Sequence, residues 1–226
     1  MSNILLVHGA IADGSSWNRV IPILQDAGHH VVAVQQPLSS IQDDVAKVRS
    51  TLDELEGPVV VVGHSFGGLV ISEAAHDASN VSALVYVAAF ALNEGETAGA
   101  ASEPYGQLPS ASHFQVDKQG RFTLPQDVYP QYFCPNADAV TARAMAVTQG
   151  PSDLARFGYV AGPPAWREHP SYFIVSENDQ IISPDQERAM AEQIGAETTV
   201  IANGDHAVMV SEPQAVADVI LAAAAR

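Results

Sequence analysis

Gly63-His64-Ser65-Phe66-Gly67 sets a serine between two glycines, each two residues away, directly after an apolar run and directly before an amphipathic one. A serine on so tight a strand-to-helix turn is held in a strained backbone conformation that lifts its hydroxyl clear of the sheet, at the positive end of a helix. That arrangement suits attack on an acyl carbon. A hydroxyl is a weak nucleophile at its ordinary pKa, so the chemistry also needs a base and a group that orients the base. Asn203-Gly204-Asp205-His206 offers the imidazole and Glu177-Asn178-Asp179 the carboxylate, each immediately after another apolar run. The chain order is Ser65, Asp179, His206, expected for a serine nucleophile on this type of turn.

Other residues compete for these roles. Glu177 is the alternative acid, two residues before Asp179. Asp205 adjoins His206 and is assigned to shaping the turn, since an adjacent side chain seldom reaches Nδ1. Of eight histidines, His8 and His64 also sit at strand ends, each inside a motif with its own task. A tetrahedral intermediate needs two N–H donors for its oxyanion. Phe66, following the serine, offers one; His8-Gly9-Ala10 follows the first apolar run, and the unhindered Gly9 allows the amide of Ala10 to supply the other. The pocket is expected to be walled by Gly9, Ile11, Trp17, Phe90, Tyr129, Phe133 and Met209, with Tyr132 and Phe157 from the same apolar set. No zinc-type histidine spacing, cysteine cluster or phosphate-binding G-x-x-x-x-G-K-[ST] loop occurs, so neither cofactor nor metal is implied.

Positioning these residues requires alternating strands and helices. Residues 4–8, 31–34, 59–62 and 81–88 read as strands; residues 17–27, 41–55 and 66–78 read as the helices between them. Strands of nearly continuous Val, Ile, Leu and Ala imply a parallel sheet buried on both faces, here an α/β doubly wound sheet of about six strands. From residue 92 to residue 170 the alternation stops. Proline becomes frequent, residues 114–124 read as a hairpin turning at Asp117-Lys118-Gln119-Gly120, and residues 137–148 as a helix. The expected organisation is one domain, its core formed by residues 1–91 and 171–226, with 92–170 inserted as a cap. Strands at 172–176 and 198–201, a helix at 184–194 and a closing helix from Glu212 or Pro213 complete the core. Ligands of such sheets bind beyond the carboxyl ends of the strands, where every residue named above falls.

Leu6-Val7-His8-Gly9-Ala10, Gly63-His64-Ser65-Phe66-Gly67-Gly68, Glu177-Asn178-Asp179 and Gly204-Asp205-His206 resemble the α/β-hydrolase superfamily. Within it the chain is similar to a compact branch of small bacterial esterases, plant salicylate methyl esterases and hydroxynitrile lyases. The resemblance implies a serine esterase with a Ser65–His206–Asp179 triad. It also implies the rival, because lyases of that branch share the triad. Those lyases carry Thr or Asn where this chain has Gly9, and one group carries Glu and Lys at the places of His64 and Ala207. A receptor that keeps the triad but only binds a small ligand is the third reading.

Composition bounds the partners. The 226 residues carry 26 acidic against 10 basic side chains, a net charge of −16, with only Lys47 and Lys118 as lysines. Such a surface repels nucleic acid and anionic membranes. A small, mostly neutral ester is the expected partner, and oligomerisation is not legible. No basic leader precedes Ile4 and no apolar run approaches a membrane span, so a cytoplasmic setting is expected. Cys134, the single cysteine, is expected to be a partly buried bystander without a disulfide.

Overall fold

The computed structural model describes residues 2–226. Six strands form the central sheet: β1 (Asn3–Val7), β2 (His30–Val34), β3 (Val59–His64), β4 (Val81–Val87), β8 (Ser171–Ser176) and β9 (Glu197–Ile201). Their spatial order is β2-β1-β3-β4-β8-β9, every neighbouring pair parallel. The insertion contributes a separate antiparallel sheet, β5 (Gln115–Val116), β6 (Arg121–Thr123) and β7 (Ser152–Asp153). Asp117 closes the hairpin between β5 and β6 by accepting hydrogen bonds from the amides of Gln119 and Arg121. β7 was not expected from the sequence, because a two-residue strand has no periodicity to read.

Helices α1 (Ile21–Asp26), α2 (Ile41–Asp53) and α3 (Phe66–Ala74) connect the first four strands. From β1 the chain steps first to β2 on one side and then back past β1 to β3 on the other. Right-handed crossovers therefore place α1 and α2 on opposite faces. Helices α4 (Ala98–Ser102), α5 (Tyr129–Tyr132) and α6 (Ala139–Thr148) lie in the insertion. The core closes with α7 (Pro184–Gln193), α8 (Val208–Ser211) and α9 (Pro213–Ala224); α9 packs on β3, β4 and β8 and against α1. β1, β3 and β4 are buried along almost their whole length, which is why they read as unbroken apolar runs.

Some boundaries differ from expectation. The helix expected over residues 17–27 is divided into a 3₁₀ turn, Gly14–Trp17, and α1. Asp13 caps the turn by accepting from the amide of Ser15 at 2.7 Å. Pro22 has no N–H and fits only a first helical turn, so α1 begins at Ile21. α3 ends at Ala74 rather than residue 78, and Asp77 adopts a left-handed φ of 58° in the turn that follows. Cys134 is fully buried instead of partly so, and burial pushes its thiol up to about 12. No described helix is long and apolar enough to cross a membrane.

Candidate active site

β1 and β3 are adjacent, and the chain leaves them for opposite faces of the sheet. A crevice results beyond their carboxyl ends. Ser65 occupies it on the turn between β3 and α3, at φ 55° and ψ −125°. Its amide donates to Val87 O and its carbonyl accepts from Phe90 N, both at 3.1 Å, so β4 holds the strained turn from the side. The turn leaves no room for Cβ atoms. One added at Gly63 would lie 2.5 Å from Gly67 O, and one added at Gly67 would lie 2.7 Å from Val7 O. One added at Gly9 would lie 2.6 Å from Ser65 Cβ, so glycine there is what lets the loop after β1 approach the serine.

Asp179 and His206 meet behind this crevice, both buried, with His206 Nδ1 at 2.6 Å from Asp179 Oδ2. The second carboxylate oxygen, Oδ1, accepts from the amides of Ile181 at 2.6 Å and Ile182 at 3.0 Å. These donors fix the carboxylate in orientation with Oδ2 presented to His206 as an acceptor, which keeps the imidazole proton on Nδ1. That leaves Nε2 as an acceptor; it is buried and has no partner among the described residues. His206 and Ser65 line the same cavity. Glu177 is drawn outward into an exposed ion pair with Arg188. The carboxylate of Asp205 accepts from Asn136 N and Ser211 Oγ, tying down the His206 loop.

The loop after β1 is held from several directions. His8 Nδ1 donates to Gly9 O at 2.9 Å and His8 Nε2 accepts from Gln36 N at 3.0 Å, which fixes the tautomer of His8. Ile11, at φ 48°, donates its amide to Ser152 Oγ and accepts at its carbonyl from the hydroxyl of Tyr129. With Ile11 clamped by two residues of the insertion, Ala10 is held against the cavity beside Phe66. The amides of Ala10 and Phe66 have no acceptor among the described residues. They are free to serve an oxyanion.

The cavity measures about 330 Å³. Ile11, Phe90, Phe133 and Phe157 line it, whereas Gly9, Trp17, Tyr129, Tyr132 and Met209 do not. Gly9 backs onto Ser65. Trp17 is fully buried, edge-on to His64 at 6.4 Å, and Met209 is turned into the core by α8. Tyr129 stacks on Phe133 behind the wall, where its hydroxyl is needed for Ile11; Tyr132 stacks on His113. Phe114, Phe122, Leu108, Leu154, Ile181 and Ile182, which are outside the expected set, also line the cavity. Ile181 and Ile182 were accessible to sequence reasoning, since a carboxylate after a strand commonly takes the next amides of its own loop. Apart from His206, no acidic or basic side chain among the described residues lines the cavity; Ser102, Gln107 and Gln186 are among its polar groups.

His64 lies beneath the site, fully buried, its Nε2 donating to His206 O at 2.7 Å. Burial and the neighbouring His206 imidazole hold His64 well below its ordinary 6.5. The folded protein therefore keeps His64 neutral, and unfolding takes up a proton once the pH drops below 6.5. The stability it contributes is present above that value and is lost on acidification. Buried carboxyls with raised pKa values, such as Asp44 and Asp205, act with the opposite sign, so the clean measure is a difference between variants. The stability of His64→Gln relative to the parent, from urea midpoints, is expected to rise by about 1.4 kcal/mol for each pH unit below 6.5. A pH-independent difference would show that His64 titrates normally.

Comparison with known proteins agrees with this architecture. The family model described as "Alpha/beta hydrolase family" matches residues 4–219. An α-hydroxynitrile lyase of Arabidopsis thaliana is 26% identical over 98% of this chain and 96% of its own length. Salicylic acid-binding protein 2 of Nicotiana tabacum is 25% identical over 94% and 93%. The crystal structure of an Arabidopsis methylesterase superposes with a TM-score of 0.85 at 17% identity, covering 100% of this chain and 99% of that one. The match runs from β1 into α9 and includes both flanks of the insertion, and the chain belongs to the alpha/beta hydrolase family.

Proposed function

We propose that the protein is a serine esterase that cleaves small, mostly neutral carboxylic esters through an acyl-enzyme on Ser65. One observation carries this reading: Ser65, the free Nε2 of His206 and the unoccupied amides of Ala10 and Phe66 share one apolar cavity without a charged wall. Ser65 Oγ attacks the ester carbonyl while His206 Nε2 takes its proton. The oxyanion forms against the amides of Ala10 and Phe66, and Asp179 stabilises the imidazolium. His206 returns the proton to the departing alcohol. Water, deprotonated by the same imidazole, then releases the acid and restores Ser65.

The cavity selects against charge, because an anionic substrate would be desolvated without a counter-ion. Its volume suits a small ester with an apolar or aromatic portion. The strongly acidic surface supports a small-molecule partner over nucleic acid or an anionic membrane. A lone, buried cysteine suits a reducing compartment such as the cytoplasm.

Titration with a fluorophosphonate is expected to label Ser65 stoichiometrically; absence of labelling would favour a receptor. Across a panel of esters, uncharged substrates are expected to exceed otherwise matched carboxylate-bearing ones in kcat/KM by about 10²-fold or more, the scale of an unpaired charge in an apolar site. Equal rates would show that the charged group stays in solvent. Mandelonitrile tests the lyase reading: cyanide release at a rate rivalling esterolysis would displace the esterase assignment.

A further inference from the structure

Behind Asp179 lies a second buried carboxyl that the mechanism above does not use. Glu187, on α7, has no exposed surface. Its Oε2 accepts from Ser176 N, at the end of β8, at 2.8 Å. Its Oε1 is buried without a donor. Ser176, whose amide Glu187 accepts, in turn accepts at its carbonyl from the amide of Asp179 at 3.2 Å, so the two buried carboxyls share one strand end. Two carboxyls buried at one strand end repel each other when both are ionised, which favours a proton on one of them.

The donors decide where that proton resides. Asp179 accepts from the amides of Ile181 and Ile182 and from His206 Nδ1, all of which favour its ionised form. Glu187 accepts only from Ser176 N. The other charges nearby leave this ranking intact. Arg188, next on α7, is engaged outside with Glu177 and Asp185; Asp205 is tied to Asn136 and Ser211; His206 faces Asp179. Burial, followed by the charge of Asp179, pushes Glu187 well above its ordinary 4.5.

We propose that Glu187 is a neutral positioning residue whose carboxyl O–H donates to Asp179 and so sets how much of the Asp179 charge is left to act on His206. This rests on the reading of Ser65, His206 and Asp179 as a triad. Proton-bearing Glu187 makes an additional hydrogen bond to the Asp179 carboxylate. That bond draws charge away from the oxygen facing His206 and keeps the imidazole less basic than it would be beside an otherwise undonated Asp179. It also supplies the buried Glu187 oxygen with the partner it otherwise lacks.

Two variants and one spectrum test this. Glu187→Gln keeps a neutral donor toward Asp179 and an acceptor for Ser176 N. Its acidic limb of kcat/KM against pH is expected to coincide with that of the wild type. Glu187→Met removes the donor, and its acidic limb is expected to move upward by about half to one pH unit, the scale of one hydrogen bond to a carboxylate. A downward shift in Glu187→Gln would mean that the native side chain is ionised, and would overturn the proposal. A Glu187→Met limb that stays in place would reduce Glu187 to a packing role and also overturn it. Should Glu187→Met fail to fold, the glutamine profile and infrared difference spectroscopy still decide. The spectrum at neutral pH is expected to show a protonated-carboxyl C=O stretch that disappears in Glu187→Gln, and its absence from the wild type would refute the neutral assignment. That band is read without substrate, so it stands apart from the triad reading, which falls if Ser65→Ala keeps its activity.

Discussion

Ser65→Ala is expected to lower kcat for a small neutral ester by on the order of 10⁴-fold or more while leaving the fold in place. The size follows from what the hydroxyl supplies. Without it no acyl-enzyme can form, and only the amides of Ala10 and Phe66 and the apolar cavity remain to assist direct attack by water. The fold should tolerate the change because the Ser65 turn is held by backbone bonds to Val87 and Phe90, not by the side chain. Alanine must still adopt φ 55°, a strain the native serine already bears. A steady-state assay at saturating ester, paired with a thermal melt, checks both halves. Near-normal turnover in a folded variant would sink the esterase mechanism.

Asp179→Asn is expected to cost a comparable factor, on the order of 10⁴ in kcat, by reversing the tautomer of His206 rather than by removing a charge alone. The amides of Ile181 and Ile182 both donate to Oδ1 of Asp179. An asparagine must place its single oxygen there, so its NH₂ group faces His206. Two N–H donors cannot share one hydrogen bond; the imidazole responds by moving its proton from Nδ1 to Nε2. An Nε2–H cannot accept the proton of Ser65. The loss should appear in kcat with KM little changed, and ¹⁵N chemical shifts of the His206 ring should report the exchanged tautomer. Retained activity with an unchanged tautomer would remove Asp179 from the mechanism. Glu177 offers no rescue, being exposed and paired with Arg188.

These two substitutions concern residues that stand out in the chain for separate reasons. The glycines at 63 and 67 bracket Ser65 because a Cβ at either place would collide with backbone. At Gly67 the collision is with Val7 on the neighbouring strand; at Gly63 it is with the turn's own backbone, and such local requirements leave a mark in sequence. The same holds for β1, β3 and β4, whose unbroken apolar runs follow from burial on both faces. It holds also for the positions of Asp179 and His206 just after β8 and β9, because connections in a parallel sheet return each strand to the same edge. The parallel α/β sheet and the strand-end placement of the chemically capable residues were therefore legible from residue order alone.

The cavity wall was not. Trp17, Tyr129 and Met209 have the size and polarity of lining residues, yet they face the core; Phe114, Phe122 and Leu154 come from insertion segments whose sequence shows no usable period. Whether an aromatic ring faces a cavity or a neighbouring ring depends on how the insertion crosses the sheet edge. That path is set by long-range contacts such as Ser152 and Tyr129 on the two sides of Ile11, and Arg156 beside Asp44. The placement of Glu187 is of the same kind: on α7 the glutamate reads as one more acidic residue of a first helical turn, and only packing against β8, where Ser176 N donates to it, buries it. Residue order determined the sheet and which strand ends carry serine, carboxylate and imidazole, because short-range sterics and burial periodicity act within a few residues. Tertiary structure alone decided the cavity's wall and the surroundings of Asp179, because both arise where segments distant in sequence remove each other's side chains from water.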